Sequence, residues 1–292
     1  MSLCAHLGPW GLGVNPVGDG VSTLERKDMK VVILAGGLGS RISEESYLRP
    51  KPMIEIGGKP ILWHIMMGYS HFGFNDFIIC AGYKQQAIKT YFNDYFLNTS
   101  DVTFDYRDGS KDIEIHNTAA MPWRVTVADT GLETQTAGRI KRIQKYVGNE
   151  PFLLTYGDGV STVDPNDVIA HHNKVGGVVT VTGAILDQRF GVLDIDGDSR
   201  VNSFREKHDE DQSFINGGFM VVEPEVFGYI GEDGQDGLTE DFSGVTLEKL
   251  SQEGKLTVFP HEGFWRCMDT QRDKQQLEKL WASGKAPWKV WE

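Results

Sequence analysis

MKVVILAGGLGSRISEESYLRPKPMIEIGGKPIL, residues 29–62, decides how the rest of the chain is read. Its apolar run Val31-Val32-Ile33-Leu34 has the length and β-branched content of a strand buried on both faces, as in a parallel sheet. A glycine-rich turn follows directly. In Gly36-Gly37-Leu38-Gly39-Ser40-Arg41 three residues lack a Cβ, so the backbone can adopt positive φ and turn several N–H groups toward one ligand. Such a nest binds anions, phosphate foremost. Arg41 can fork onto two phosphate oxygens, and Lys51, held between Pro50 and Pro52, adds a compact ammonium. The alternative is an ordinary turn with solvated charges. The glycines do not fall as G-x-G-x-x-G, and no Gly-Lys-Ser/Thr stands at Walker spacing, so neither a dinucleotide fingerprint nor a P-loop is present.

Outward from this stretch, Pro60 can open a helix to about Phe72, Asp76 to Ala81 reads as a strand, and Lys84 to Phe96 as a helix. The alternation predicts an α/β chain with a Rossmann-like, mainly parallel mixed sheet flanked by helices, its ligands in the crevice at the strands' C-terminal ends. Gly82 and Tyr83 fall at such an end, although Tyr83 can equally be packing. From Asp101 to Asp129 the pattern shifts to VTFDYRDG, DIEIHN and WRVTVADTG, read as β excursions from the main sheet. Gly138-Arg139 opens a basic amphipathic helix, RIKRIQKYV, in which Arg139 can be one cation among several on a solvated face.

Phe152 to Tyr156 is a further buried strand running into Gly157-Asp158-Gly159. A carboxylate between two glycines at a strand's end is presented with little obstruction, or else marks a plain turn. Mg²⁺ commonly takes one or two carboxylates and completes its octahedron with water and phosphate oxygens. Asp164 to Lys174 reads as a helix, Gly177 to Leu186 as a strand, and RFGVLDIDGDSRVNSFREK as a hairpin ending at Glu206-Lys207, whose plainest reading is a surface ion pair. A strand KLTVFP and a helix from Asp273 to Trp281 close the chain, and Trp281, Trp288 and Trp291 make this end apolar enough to dock on the body or on another subunit.

The 292 residues suffice for a substantial core, and the net charge of −12 argues against nucleic acid, which needs a basic field. An acidic protein that handles polyphosphate must concentrate cations locally, and the Arg41/Lys51 segment does so. No apolar run is long enough for a membrane span. Cys4, Cys80 and Cys267 lie far apart without CxxC spacing, so no disulfide framework or zinc site is implied and a reducing cytoplasm fits. Residues 1–28 carry many glycines and no apolar periodicity, and are expected to be a disordered leader or a non-native remnant. Residues 29–292 are then one domain, with a nucleotide-binding part to about residue 185 and a sugar-phosphate-binding part with the C-terminal helix beyond.

LAGGLGSR followed by PKPMIEIGGKPIL, with YGDG, FREK, INGGF and GFWRCMDT further on, resembles the signature of the sugar-1-phosphate nucleotidyltransferases over nearly all of residues 29–292. Within that family GGKPILWHIM, DFIICAGYK, TAGRIKR and GKAPWKVWE are most similar to members that use CTP and glucose 1-phosphate. The resemblance implies the nucleotide-diphospho-sugar transferase fold, cytidylyl transfer to glucose 1-phosphate for polysaccharide precursors, and Mg²⁺ as cofactor. It also implies a homo-oligomer, hexamer or dimer, with the β excursions helping to build it, and neither a nucleic-acid nor a membrane partner. UTP or dTTP in place of CTP, or a catalytically silent nucleotide-sugar binder, stay open.

By the same resemblance Leu34, Gly36, Gly37, Gly39, Ser40, Arg41, Lys51, Gly82, Tyr83 and Arg139 bind the nucleotide, Arg139 at the cytosine. Tyr156, Gly157, Glu206, Lys207, Asn216 and Gly217 hold the sugar phosphate. Asp158 and Asp269 hold the metal, and Arg41, Lys51, Asp158 and Lys207 carry the catalysis. The chain departs from the family in having His208 where proline often follows the lysine.

Overall fold

Every side chain of β1 (Val31–Ala35) is buried, which two-sided burial demands of an uninterrupted apolar run. The computed structural model describes residues 29–185, 192–195, 201–205, 214–231 and 238–292. Glu206 and Lys207 lie outside the described residues, as do residues 1–28. Parallel to β1 run β2 (Asp76–Ala81) on one side and β4 (Phe152–Tyr156) on the other, and β3 (Arg124–Asp129) extends the sheet beyond β2. The far half is mixed. There β5 (Val179–Ile185) pairs antiparallel with β6 (Phe214–Asn216) and β7 (Met220–Val222), and parallel with β8 (Leu256–His261). Antiparallel pairing of β7 with β4 joins the two halves into one eight-stranded sheet. The mainly parallel α/β architecture expected from the sequence is therefore what the chain adopts.

Strand alternation sends successive side chains to opposite faces, and each face has its own cover. Val31, Ile33, Phe77 and Ile79 pack with α1 (Ile61–His71) and the C-terminal tryptophans. Val32, Leu34, Ile78 and Cys80 pack with Ala137 and Ile140 of α3 (Thr136–Arg142) and with Phe242. The remaining long helices are α2 (Gln85–Asn98), α4 (Pro165–Val175) and α5 (Gln271–Ala282). No helix among the described residues is long and apolar enough to cross a membrane.

Two expectations need correction. Only part of the 101–129 region is an excursion: Ser100–Asp105 and Asp112–Thr118 form a separate exposed hairpin, while Arg124–Asp129 is the parallel edge of the main sheet. Val125 and Val127 pack toward one core and Ala128 toward the other, and that burial draws the segment in. The basic helix also begins at Thr136, before Gly138, and breaks after Arg142, a short turn Gln144–Val147 following.

Candidate active site

The chain leaves β1 toward β2 on one side and returns to β4 on the other, so a crevice opens at the C-terminal ends of β1 and β4, where open α/β sheets bind ligands. The glycine-rich loop occupies it. Gly39 has φ +65, which glycine takes without strain, and its carbonyl accepts hydrogen bonds from Ile42 N at 3.2 Å and Ser46 Oγ at 2.9 Å. Lys51 opens the turn Lys51–Met53, behind the extended Pro50.

Asp158 follows β4 after a single residue, Gly157. The short strand after it, Gly159–Ser161, pairs antiparallel with Trp265–Cys267, and Met268 N donates to the Asp158 carbonyl at 2.8 Å. This pairing carries Asp269 from the far end of the chain to the side of Asp158. Lys51 Nζ stands between them, 2.5 Å from Asp158 Oδ2 and bonded to Asp269 Oδ1, and Arg41 Nη1 lies 2.7 Å from the other Asp269 oxygen. Burial alone would lower the Lys51 pKa, but the two aspartates outweigh it and hold the ammonium above its ordinary value. Burial would likewise raise Asp269, and Lys51 and Arg41 hold it below the usual carboxylate range. Lys51 and Asp269 are therefore both charged at neutral pH.

Around them is a cleft of about 540 Å³. Of the residues expected from sequence, Leu34, Gly36, Gly37, Gly39, Ser40, Arg41, Lys51, Arg139, Tyr156, Gly157, Asp158, Asn216 and Asp269 line it together. Gly157 gives its N–H to Leu34 O at 2.9 Å, and a Cβ on it would stand 2.7 Å from that oxygen, so only glycine lets the two strand ends close up. At the other end the Tyr156 hydroxyl meets Ser243 Oγ at 2.8 Å and accepts from Asn216 Nδ2 at 3.2 Å, a polar group suited to hydroxyl recognition. Burial raises the Tyr156 pKa, so the phenol stays protonated.

Three expected residues are not among those that line the cleft. Gly82 packs beneath the glycine-rich loop, where a Cβ would come 2.8 Å from Gly36 O; Tyr83 N donates to that carbonyl at 3.1 Å; and Gly217 is pinned between Thr182 O and the Trp265 indole N–H. Arg139 is 4% exposed, which excludes the solvated-face reading. Thr134, Gln135, Thr136, Trp265 and Cys267 also line the cleft and were not singled out from the sequence. The motifs TAGRIKR and GFWRCMDT contain or adjoin them, but no periodicity marks which member faces a cavity.

Two carboxylates converging on one cation at an open cleft are hard-oxygen donors of the kind Mg²⁺ accepts from protein, with water and phosphate supplying the rest. Among the described residues no three His, Cys, Asp or Glu side chains are grouped to hold a metal. The donor set therefore fits a metal shared with a bound polyphosphate and does not form an all-protein cage.

Residues 30–273 match the family model described as Nucleotidyl transferase. The chain is 51% identical over 265 residues, 90% of its length and all of the relative's, to the glucose-1-phosphate cytidylyltransferase of Salmonella typhi. It is 42% identical over the same shares to the probable glucose-1-phosphate cytidylyltransferase of Bacillus subtilis. Among solved structures, HddC from Yersinia pseudotuberculosis complexed with GMP-PN superposes with a TM-score of 0.61 at 24% identity, covering 87% of this chain and 99% of that one, a likeness of fold.

Proposed function

Because the chain belongs to the nucleotidyl transferase family, we propose that it transfers the cytidylyl group of CTP to α-D-glucose 1-phosphate, giving CDP-glucose and pyrophosphate. The observation that carries this reading is the meeting of Arg41, Lys51, Asp158 and Asp269 in one cleft beside the glycine-rich loop, in a chain half identical to named cytidylyltransferases. An oxygen of the sugar phosphate attacks the α-phosphorus of CTP, the α–β bridging P–O bond breaks, and its electrons leave on pyrophosphate. The nucleophile is already an anion, so no general base is required; positioning and charge neutralisation supply the rate.

In this scheme the glycine-rich loop and Arg41 hold the departing phosphates, and Lys51 faces the α-phosphate. Tyr156 and Asn216 meet the sugar. Asp158 and Asp269 would hold Mg²⁺, which when bound neutralises phosphate charge. A homo-oligomer, a cytoplasmic location and a place in supplying polysaccharide precursors complete the proposal.

Pyrophosphate release across CTP, UTP, dTTP, ATP and GTP, each with glucose, mannose and galactose 1-phosphates, tests it. CTP with glucose 1-phosphate is expected to exceed every other pair by at least tenfold. A preference for UTP or dTTP would overturn the nucleotide assignment, and tight CTP binding without turnover would revive a silent binder.

A further inference from the structure

Arg139 is a buried cation whose partners are neutral oxygens. Nη1 bonds Thr130 Oγ1 at 2.8 Å, Gly131 O at 2.7 Å and, more weakly, Ala81 O at 3.4 Å; Nη2 bonds Gly36 O at 2.9 Å and Leu132 O at 3.3 Å. The two Nη groups carry four hydrogens, and these five acceptors use them all. Only Nε–H remains. A fork onto a base needs two parallel donors, and in this arrangement the guanidinium has one to spare.

Its acceptors belong to three separate segments: the glycine-rich loop, the end of β2, and the turn after β3. Two glycines make room for it. A Cβ on Gly36 would stand 2.1 Å from Nη1, and one on Gly82 2.5 Å from the same atom. Gly36 O is also held by Tyr83 N at 3.1 Å, so this carbonyl is fixed by two donors. A trans peptide is planar, with its C=O and the next N–H pointing in opposite directions. Tying down the Gly36 carbonyl therefore also fixes the direction of the N–H of Gly37, a residue that lines the cleft.

We propose that Arg139 is a positioning residue for phosphate binding: it fixes the Gly36–Gly37 peptide plane so that the glycine-rich loop meets the nucleotide's phosphates with its N–H groups already aligned. Preorganised donors cost no reordering when the ligand arrives, and a loop of glycines left to itself would bear that cost in full. The phosphate half of this statement rests on the proposed function; the loop-ordering half does not.

The test separates the two. Amide hydrogen exchange of the free protein is compared between wild type, Arg139→Lys, which keeps the charge but offers three donors from one point, and Thr130→Val, a milder variant that removes one acceptor. Amides of Gly36 to Arg41 are expected to exchange at least tenfold faster in Arg139→Lys and by a smaller factor in Thr130→Val, with those of β1 and β2 unchanged. Inorganic tripolyphosphate, which has no base, is expected to bind at least fivefold more weakly to Arg139→Lys, and the ratio of CTP to UTP turnover to stay within twofold of wild type.

Unchanged loop exchange in both variants overturns the proposal. So does unchanged tripolyphosphate binding, or a collapse of the CTP-to-UTP ratio, which would make Arg139 a base reader after all. If wild type turns over no nucleotide, the proposed function fails while the exchange result still decides whether Arg139 orders the loop.

Discussion

Replacing Lys51 by methionine removes the cation that two carboxylates share and keeps a side chain of similar length. Lys51 Nζ is bonded to one oxygen of Asp158 and one of Asp269, so those oxygens stand no more than about 5 Å apart. With an effective dielectric of about 20, their repulsion without the ammonium is about 3 kcal/mol. The side chains are 25% and 31% exposed, and screening trims the figure to roughly 2 kcal/mol. A divalent cation placed between them recovers that energy, so nucleotide-free Lys51→Met should bind Mn²⁺ about 30-fold more tightly than wild type, which electron paramagnetic resonance titration measures. Turnover should move the opposite way, falling on the order of 100-fold as a preorganised charge at the phosphates is lost. Circular dichroism should show the fold retained. Mn²⁺ affinity equal to or below wild type would refute the sharing of these carboxylates between Lys51 and a metal, and turnover within threefold of wild type would refute the role given to Lys51.

Asp158→Asn should keep the fold and lose turnover by about 100-fold, with Mn²⁺ no longer retained by the protein–CTP complex; pyrophosphate release and the same titration check this. His64 is 1% exposed, and burial lowers its pKa to about 4. Its Nε2–H donates to Ile56 O at 2.8 Å and its Nδ1 accepts from the Trp288 indole N–H, so a second proton on Nδ1 would displace that bond and place a charge in a buried site. The unfolded chain, with an ordinary histidine near 6.5, takes up that proton first. Stability from the neutral ring is thus full above pH 6.5 and shrinks as pH falls toward 4. Between pH 7 and pH 5 the loss is about 2 kcal/mol, a fall in Tm of about 4–8 °C that His64→Gln should largely abolish in calorimetry. Thr270 caps α5 in a box with Asp273, and Thr270→Ala should cost about 1 kcal/mol, seen as a lower midpoint in urea.

The stretch from Met29 to Leu62 was legible because its determinants are local. Burial on both faces writes β1 as an unbroken apolar run, and the missing Cβ atoms of Gly36, Gly37 and Gly39 permit a phosphate-sized turn wherever the chain later goes. The alternation of strands and helices from Asp76 onward followed from the same periodicities, and it is enough to place a crevice at the strands' C-terminal ends. The edge strand Arg124–Asp129 was misplaced because an edge carries a half-polar pattern that a free hairpin shares.

The site itself was only partly written in the chain. Asp158 announces itself between two glycines at a strand's end, but its meeting with Asp269 is made by the pairing of Gly159–Ser161 with Trp265–Cys267, two three-residue strands too short to show any period. Arg139 is the sharper case. Its sequence neighbours make it look like one charge on a basic helix, yet it is buried against carbonyls of Gly36, Ala81, Gly131 and Leu132. Side-chain type and spacing alone determined where the central strands, the glycine-rich loop and the acidic turn lie. Which of them touch was decided by tertiary structure, because backbone carbonyls are the same at every residue and only folding determines which of them surround a given cation.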